Sequence, residues 1–252
     1  MKTKKSADPD SNLTFFMKSS DGSITYYSDP DGNLYCEKGD EKYKLSLFDG
    51  HLYKLRLFNK IPILEIDGLR MQLIKDFKDP LEYASEVAAA FKIPKTGSFS
   101  ALDTCMGLGY TSCALSKYPS VSSIKTVEYS DSVYKLALWN PYSQELFKKD
   151  TKIEILRGDS FELIKTFPDS SFDFIIHDPP RYSHAPLLYS SEFYKELFRV
   201  TKRGSKLFHY VGSIGKFSGR DIAKEAQKRL ENCGFIDFEI IPRLQGILFK
   251  KP

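Results

Sequence analysis

The sequence is poor in residues that build special-purpose scaffolds, with 1 Trp, 4 Cys, 4 Met and 4 His among 252 residues. Cys36, Cys105, Cys113 and Cys233 are scattered, with no CxxC pair and no zinc-ligand spacing. That excludes a disulfide framework and points to reduced thiols in a cytoplasmic protein, most of them small core residues. No apolar run approaches the roughly 18 residues that span a bilayer, and the opening MKTKKSADPDSN lacks the apolar stretch of a secretory signal. A membrane partner is not expected. Hydrophobic residues make up 41% and charged ones 28%, which rules out coiled coil, collagen and disorder throughout.

Charge is balanced overall at +4 but uneven along the chain. Residues 199–252 carry 12 basic and 5 acidic side chains, a local +7. Such an end can track phosphates, or it can simply solvate a helix face around Lys224, Lys228 and Arg229.

Residues 1–12 are polar and without periodicity and read as a disordered end. Residues 13–75 read as a small β-rich N-terminal domain. Short aromatic and β-branched runs are cut there by Asp31-Gly32, Gly39-Asp40, Asp49-Gly50 and Asp67-Gly68, the chemistry of antiparallel hairpins. Asp79-Pro80 then opens a helix as N-cap and first turn, and the helix stops near Pro94. Beyond it, through residue 252, apolar strands alternate with amphipathic stretches, a βαβα rhythm that predicts a parallel sheet covered by helices on both faces. FIDFEIIP and LQGILFK are separated by too few residues for a crossover helix, so this last pair is expected to be antiparallel.

The first strand of the α/β part runs into Asp103-Thr104-Cys105-Met106-Gly107-Leu108-Gly109. A Gly-x-Gly turn there lets backbone approach a ligand closely. Glu128 follows Gly107 by 21 residues, the spacing of a ribose-binding acid. A dinucleotide and a sulfonium nucleoside both fit these features. Asp103, at the strand end, opposes a pyrophosphate but suits a cation. Gly158-Asp159-Ser160-Phe161 ends the third strand with a carboxylate that can accept from an adenine amine and an aromatic ring that can cover the base. Asp178-Pro179-Pro180-Arg181-Tyr182 ends the fourth strand, at the edge where open α/β sheets bind ligands.

These four motifs, in this order, resemble a class I S-adenosylmethionine-dependent methyltransferase over residues 79–252, and more narrowly an archaeal-type group of predicted methyltransferases with a DPPR loop. The resemblance implies a Rossmann-like α/β fold. Its seven-stranded sheet has the order 3-2-1-4-5-7-6 with strand 7 antiparallel, preceded here by the small antiparallel β unit. It implies S-adenosyl-L-methionine as cofactor, with Asp103, Gly107 and Gly109 at its methionine end, Glu128 on the ribose hydroxyls and Asp159 on the adenine amine. Tyr129, Ser160 and Phe161 belong to the same set. By analogy with Asp/Asn-Pro-Pro-aromatic enzymes, Asp178 and a carbonyl held by Pro179-Pro180 accept from the target amine, and the aromatic residue stacks on its ring.

This chain departs from that pattern, because Arg181 takes the fourth position and Tyr182 the fifth. Arg181 can grip a phosphate or carboxylate instead. The expected reaction is methylation of a nitrogen or ring atom, in an RNA or DNA base or a planar small molecule. One alternative is a spermidine synthase-like aminopropyltransferase, which shares the fold and uses the decarboxylated nucleoside. Arg181 argues against a cationic acceptor for it, and further acids would be expected for a polyamine. The other alternative is a non-catalytic RNA-binding protein with a methyltransferase fold. The loop after the fourth strand holds no Pro-Cys pair and no cysteine, which excludes a thiol-dependent cytosine C5 route, and His177, His184 and His209 lack the spacing of a metal site.

Overall fold

The computed structural model describes residues 13–182, 184–212, 216–217 and 220–252, the side chains of 216–217 and 220–222 excepted. The expected disordered end at residues 1–12 lies outside them. Alternating runs cut by Asp-Gly turns give two small antiparallel sheets. The first has β1 (Thr14–Lys18), β2 (Thr25–Ser28), β3 (Leu34–Lys38) and β4 (Glu41–Lys44) in sequential order. The second has β5 (Ser46–Asp49), β6 (His51–Phe58), β7 (Ile61–Ile66) and β8 (Leu69–Arg70). Backbone bonds from Leu55 to Leu45 and from Leu57 to Gly32 join the two sheets.

Helix α1 (Pro80–Ala90) begins where Asp79 caps it, its carboxylate accepting from the Leu81 and Glu82 amides at 2.9 Å. Its buried face of Tyr83, Ala84, Val87 and Ala88 packs on α2 (Tyr110–Ser116) and on β7. The central sheet contains β9 (Phe99–Asp103), β10 (Val121–Glu128), β11 (Ile153–Arg157), β12 (Phe172–His177), β13 (Thr201–Tyr210), β16 (Ile236–Ile241) and β17 (Gly246–Lys250). Its order is β11-β10-β9-β12-β13-β17-β16, which is 3-2-1-4-5-7-6. The first five strands are parallel, and β17 runs antiparallel to both neighbours. The pair β14 (Lys216–Phe217) and β15 (Arg220–Asp221) forms a separate ribbon.

The two-residue period of the strands divides the interior. Ala101, Ile124, Phe174, Ile176 and Phe208 face one core, which also takes in α1, α2, α3 (Asp131–Trp139) and Tyr26, Leu34, Leu55 and Leu64 of the N-terminal sheets. Leu102, Val127, Ile175, Leu207 and Ile247 face the other, under α4 (Ser160–Thr166), α5 (Ser191–Val200) and α6 (Ile222–Asn232). One N-terminal β unit thus shares a continuous core with one face of the sheet. The order in which successive strands are added reverses between the parallel neighbours β9 and β12, so the crevice beyond their carboxyl ends is where a ligand belongs. Among the described residues no helix is long and apolar enough to cross a membrane.

Candidate active site

The turn after β9 is tied down from within. Asp103 is fully buried and accepts from Thr111 Oγ1 at 2.8 Å, Ser112 Oγ at 2.7 Å and the Cys105 amide at 3.3 Å. It locks the start of α2 to the strand that precedes it. Burial pushes its pKa up to about 6 in spite of these bonds. Gly107 and Gly109 both hold positive φ, at 55° and 74°, but their surroundings differ. A Cβ at Gly109 would lie 2.3 Å from Leu146 Cδ1, whereas one at Gly107 would meet nothing within 4 Å. Gly109 is a packing contact, and Gly107 borders open space.

Glu128, at the end of β10, closes this turn from the side. Its Oε2 accepts from the Gly107 amide at 2.9 Å and its Oε1 from the Ser130 amide at 2.8 Å. Each oxygen keeps a lone pair for a further donor. Burial pushes its pKa up to about 7. Tyr129 beside it is 77% exposed. After β11, exposed Asp159 caps α4 through the Phe161 amide at 2.8 Å. Ser160 Oγ donates to the Thr104 carbonyl. The Phe161 ring stacks on Phe193, with centroids 6.3 Å apart, and carries the Lys165 ammonium 4.2 Å from its centre. The three strand ends are therefore linked through Thr104 and Gly107.

Asp178 follows β12 and meets a side chain that sequence reading missed. Tyr83, from α1, donates its hydroxyl to Asp178 Oδ2 at 3.0 Å. Burial pushes Asp178 up to about 7; the Tyr83 bond opposes this, and the Asp103 charge adds to it. Two more tyrosines stand by: Tyr189 donates to the Pro180 carbonyl at 2.9 Å, and Tyr210 donates to Gln245 Oε1 at 3.3 Å. Pro179 is buried. Arg181 is exposed, and its carbonyl accepts from His184 and Ala185. Tyr182 is 56% exposed and meets Tyr189 edge-on at 5.6 Å. His177 ties the two halves of the crevice together, with Nδ1 2.7 Å from Thr104 Oγ1 and Nε2 2.9 Å from the Leu188 carbonyl. Among the described residues no cluster of His, Cys, Asp and Glu forms a metal site. A cleft of about 350 Å³ behind α1 and α2, lined in part by Ser85, Cys113 and Lys117, contains none of these groups.

The spermine/spermidine synthase domain profile matches residues 51–241. An uncharacterised protein of Methanocaldococcus jannaschii is 42% identical over 223 residues, 88% of this chain and 75% of that protein. Polyamine aminopropyltransferase 2 of Streptomyces coelicolor is 26% identical over 43% of this chain and 20% of its own length. A crystal structure of spermidine synthase in complex with the transition-state analogue AdoDATO has the same fold, with a TM-score of 0.69 at 16% identity over 99% of this chain and 84% of that one.

The profile match overturns the methyltransferase resemblance, and with it the expected methylation, the S-adenosyl-L-methionine cofactor and the RNA or DNA acceptor. There is a physical reason for the error. Methyl and aminopropyl transfer both break a carbon–sulfur bond of a sulfonium nucleoside, so a glycine turn and acidic strand ends serve either one. Those motifs do not distinguish which carbon leaves.

Proposed function

We propose that this chain, which belongs to the spermine/spermidine synthase domain family, transfers an aminopropyl group from decarboxylated S-adenosylmethionine to an amine. The observation that carries this reading is Asp178: a half-buried carboxylate held by the Tyr83 hydroxyl at 3.0 Å, next to the crevice that Gly107 and Glu128 border.

In this reading the open side of Gly107 receives the nucleoside. Glu128, with Tyr129 beside it, takes the ribose hydroxyls on its free lone pairs. Asp159, Ser160 and Phe161 face the base, while Gly109 and Asp103 hold the turn in shape. A sulfonium cation also suits the excess of carboxylates here. The acceptor nitrogen attacks the propyl carbon bonded to sulfur, a nitrogen–carbon bond forms, and the carbon–sulfur pair returns to sulfur as methylthioadenosine leaves. One proton passes from the nitrogen to Asp178. A carboxyl group poised near 7 is well placed for this, because it is ionised at working pH yet basic enough to take a proton from an ammonium entering attack. Pro179 and Pro180 stiffen the loop, and Tyr182 and Arg181 flank the acceptor.

The β-rich unit of residues 13–75 roofs the acceptor side in this reading. Tyr110 donates to the Pro62 carbonyl at 2.8 Å. Asp67, held below the usual carboxylate range by the Leu52 amide and His51, also feels His184 of the loop that follows Arg181. Four free cysteines suit a reducing, cytoplasmic setting.

The test is turnover. The purified protein is incubated with decarboxylated S-adenosylmethionine and a panel of amines, and methylthioadenosine is quantified by mass spectrometry. Amine-dependent methylthioadenosine is the expected product. Release of S-adenosylhomocysteine from intact S-adenosylmethionine, with no reaction of the decarboxylated form, would refute the proposal.

A further inference from the structure

Asp178 opens a loop whose two ends hold each other through side chains. His177, the residue before Asp178, places Nε2 2.9 Å from the Leu188 carbonyl, and Tyr189 donates its hydroxyl to the Pro180 carbonyl at 2.9 Å. The two contacts cross, so each end of the segment grips the main chain of the other. Between them the Arg181 carbonyl accepts from the His184 and Ala185 amides at 2.8 and 3.2 Å. The imidazole of His177 also reaches the glycine turn, with Nδ1 2.7 Å from Thr104 Oγ1. Thr104 lies between Asp103 and Cys105, and its carbonyl accepts from Ser160 Oγ. One ring therefore touches both the turn that borders the nucleoside crevice and the loop that carries Asp178.

The partners of His177 fix where its proton sits. A carbonyl oxygen only accepts, so Nε2 carries the hydrogen and donates to Leu188. The ring is fully buried, and burial holds its pKa down to about 3, so it is neutral and Nδ1 accepts from the Thr104 hydroxyl. Both ring nitrogens are engaged within the protein. The neighbouring ring is equally committed: His209 Nδ1 donates to the His177 carbonyl at 3.2 Å, and its Nε2 accepts from the Tyr194 hydroxyl at 2.8 Å. The rings of His209 and Phe193, 4.4 and 5.0 Å from that of His177, hold its plane. A group so placed does not shuttle protons. What it supplies is geometry, and a misplacement of about 1 Å at a reacting group can cost about a hundredfold in rate.

We propose that His177 is a positioning residue for aminopropyl transfer: with Thr104 fixing its tautomer, its Nε2–H holds the Leu188 end of the loop on the end of β12 and so aims the Asp178 carboxylate at the acceptor nitrogen. This rests on the aminopropyl-transfer reading and adds a residue to it. His177 and Asp178 share a peptide unit, so main-chain movement that follows loss of the Leu188 bond turns the carboxylate as well. A change of aim lowers the rate at every pH. A change in the Asp178 pKa would instead move the acid limb of the profile.

The experiment compares the parent with His177→Asn, His177→Gln and Tyr189→Phe. Decarboxylated S-adenosylmethionine is the donor, 1,3-diaminopropane, 1,4-diaminobutane and spermidine are the acceptors, and methylthioadenosine is the readout. Asn places its amide where Nδ1 lies and abandons Leu188, whereas Gln places it where Nε2 lies and keeps a donor for that carbonyl. His177→Asn should lose at least about tenfold in kcat/KM for the amine, by the same factor from about pH 6 to about pH 9. Its affinity for methylthioadenosine should stay within about twofold of the parent by calorimetry, with full stoichiometry showing that the variant is folded. His177→Gln should recover most of the loss. Tyr189→Phe, which opens the other contact of the same segment, should lose a similar factor, and the double variant with His177→Asn should lose little more. Parent-like kcat/KM in His177→Asn, equal losses in the Asn and Gln variants, or a loss confined to low pH overturns the proposal. Should His177→Asn fail to fold, parent-like kcat/KM in Tyr189→Phe overturns it in the same way. A parent that forms no methylthioadenosine with any of these amines refutes the aminopropyl reading and this inference with it. Turnover by the parent that the variants match sinks the inference alone.

Discussion

Tyr83 and Asp178 lie 95 residues apart in the chain and meet in a 3.0 Å hydrogen bond. The bond brings α1, from the segment that joins the β unit to the sheet, against the end of β12. It stabilises the charged form of Asp178 against the burial that raises its pKa.

Tyr83→Phe removes that donor and keeps the ring in its edge contact with Phe77. Asp178 then titrates higher than about 7, so less of it is ionised at neutral pH. The acid limb of the kcat/KM profile should move upward, with a loss of about three- to tenfold at pH 7, on the scale of up to one pKa unit. The loss should largely vanish by pH 9. A loss of the same size at every pH would mean that the hydroxyl acts otherwise than through Asp178.

Asp178→Asn should lower turnover by about a hundredfold or more, the range for removing a positioned base, while leaving the affinity for methylthioadenosine near that of the parent. Its effect on stability has the opposite sign. The folded protein holds the Asp178 proton up to about pH 7, whereas the unfolded chain releases it near 3.8. Folding therefore binds a proton between these values, and the contribution of this group to stability falls as pH rises from about 4 to about 7. The Asn variant escapes this penalty. Its melting temperature should exceed that of the parent at pH 8, with the margin shrinking toward pH 4. A margin independent of pH would remove Asp178 titration from the account.

Much of this arrangement was legible in the sequence, and its limits are physical ones. Asp79-Pro80 announced α1, the strand–helix alternation announced the parallel sheet, and the short link between the last two strands required their antiparallel pairing. These are local signals, set by backbone geometry within a few residues. Tyr83 sent no such signal. It lies on the apolar face of a helix at core spacing, and only the packing of α1 onto the sheet carries it to Asp178. The transferred group was illegible for a different reason: the glycine turn and the acids at Asp103, Glu128 and Asp159 read a nucleoside, and the carbon that leaves sulfur touches none of these motifs. Arg181, which broke the expected aromatic pattern, argued against a cationic acceptor and so pointed away from the family that the profile match supports.

His177 and His209 pull stability the other way in acid. Both are fully buried with rings 4.4 Å apart, and burial holds His177 down to about 3 and His209 well below its ordinary range. The unfolded chain takes up protons on both near pH 6.5, which the folded one refuses. Their contribution to stability is present above about 6.5 and is lost as pH falls toward about 3. His177→Asn retains an acceptor for Thr104 Oγ1 and gives up the Leu188 contact. Its melting temperature at pH 7 should drop by about 2 to 4 °C, the size of one net hydrogen bond in a domain of this length. The gap to the parent should narrow at pH 5, and a gap that widens there contradicts the burial of a neutral imidazole.

The two glycines of the turn should separate binding from folding. Alanine at Gly109 adds a left-handed backbone penalty and drives a methyl to 2.3 Å from Leu146 Cδ1, so Gly109→Ala is expected to destabilise by about 2 to 4 kcal/mol. The double variant with Leu146→Ala relieves the contact and should recover part of that loss. Alanine at Gly107 meets open space and costs only the backbone penalty, about 1 to 2 kcal/mol. Its methyl would, however, occupy the space assigned to the nucleoside. Gly107→Ala should therefore melt only slightly earlier than the parent yet lose at least about tenfold in affinity for methylthioadenosine, read by calorimetry or by the ligand-induced rise in melting temperature. Unchanged affinity in Gly107→Ala would place the nucleoside elsewhere on the sheet edge.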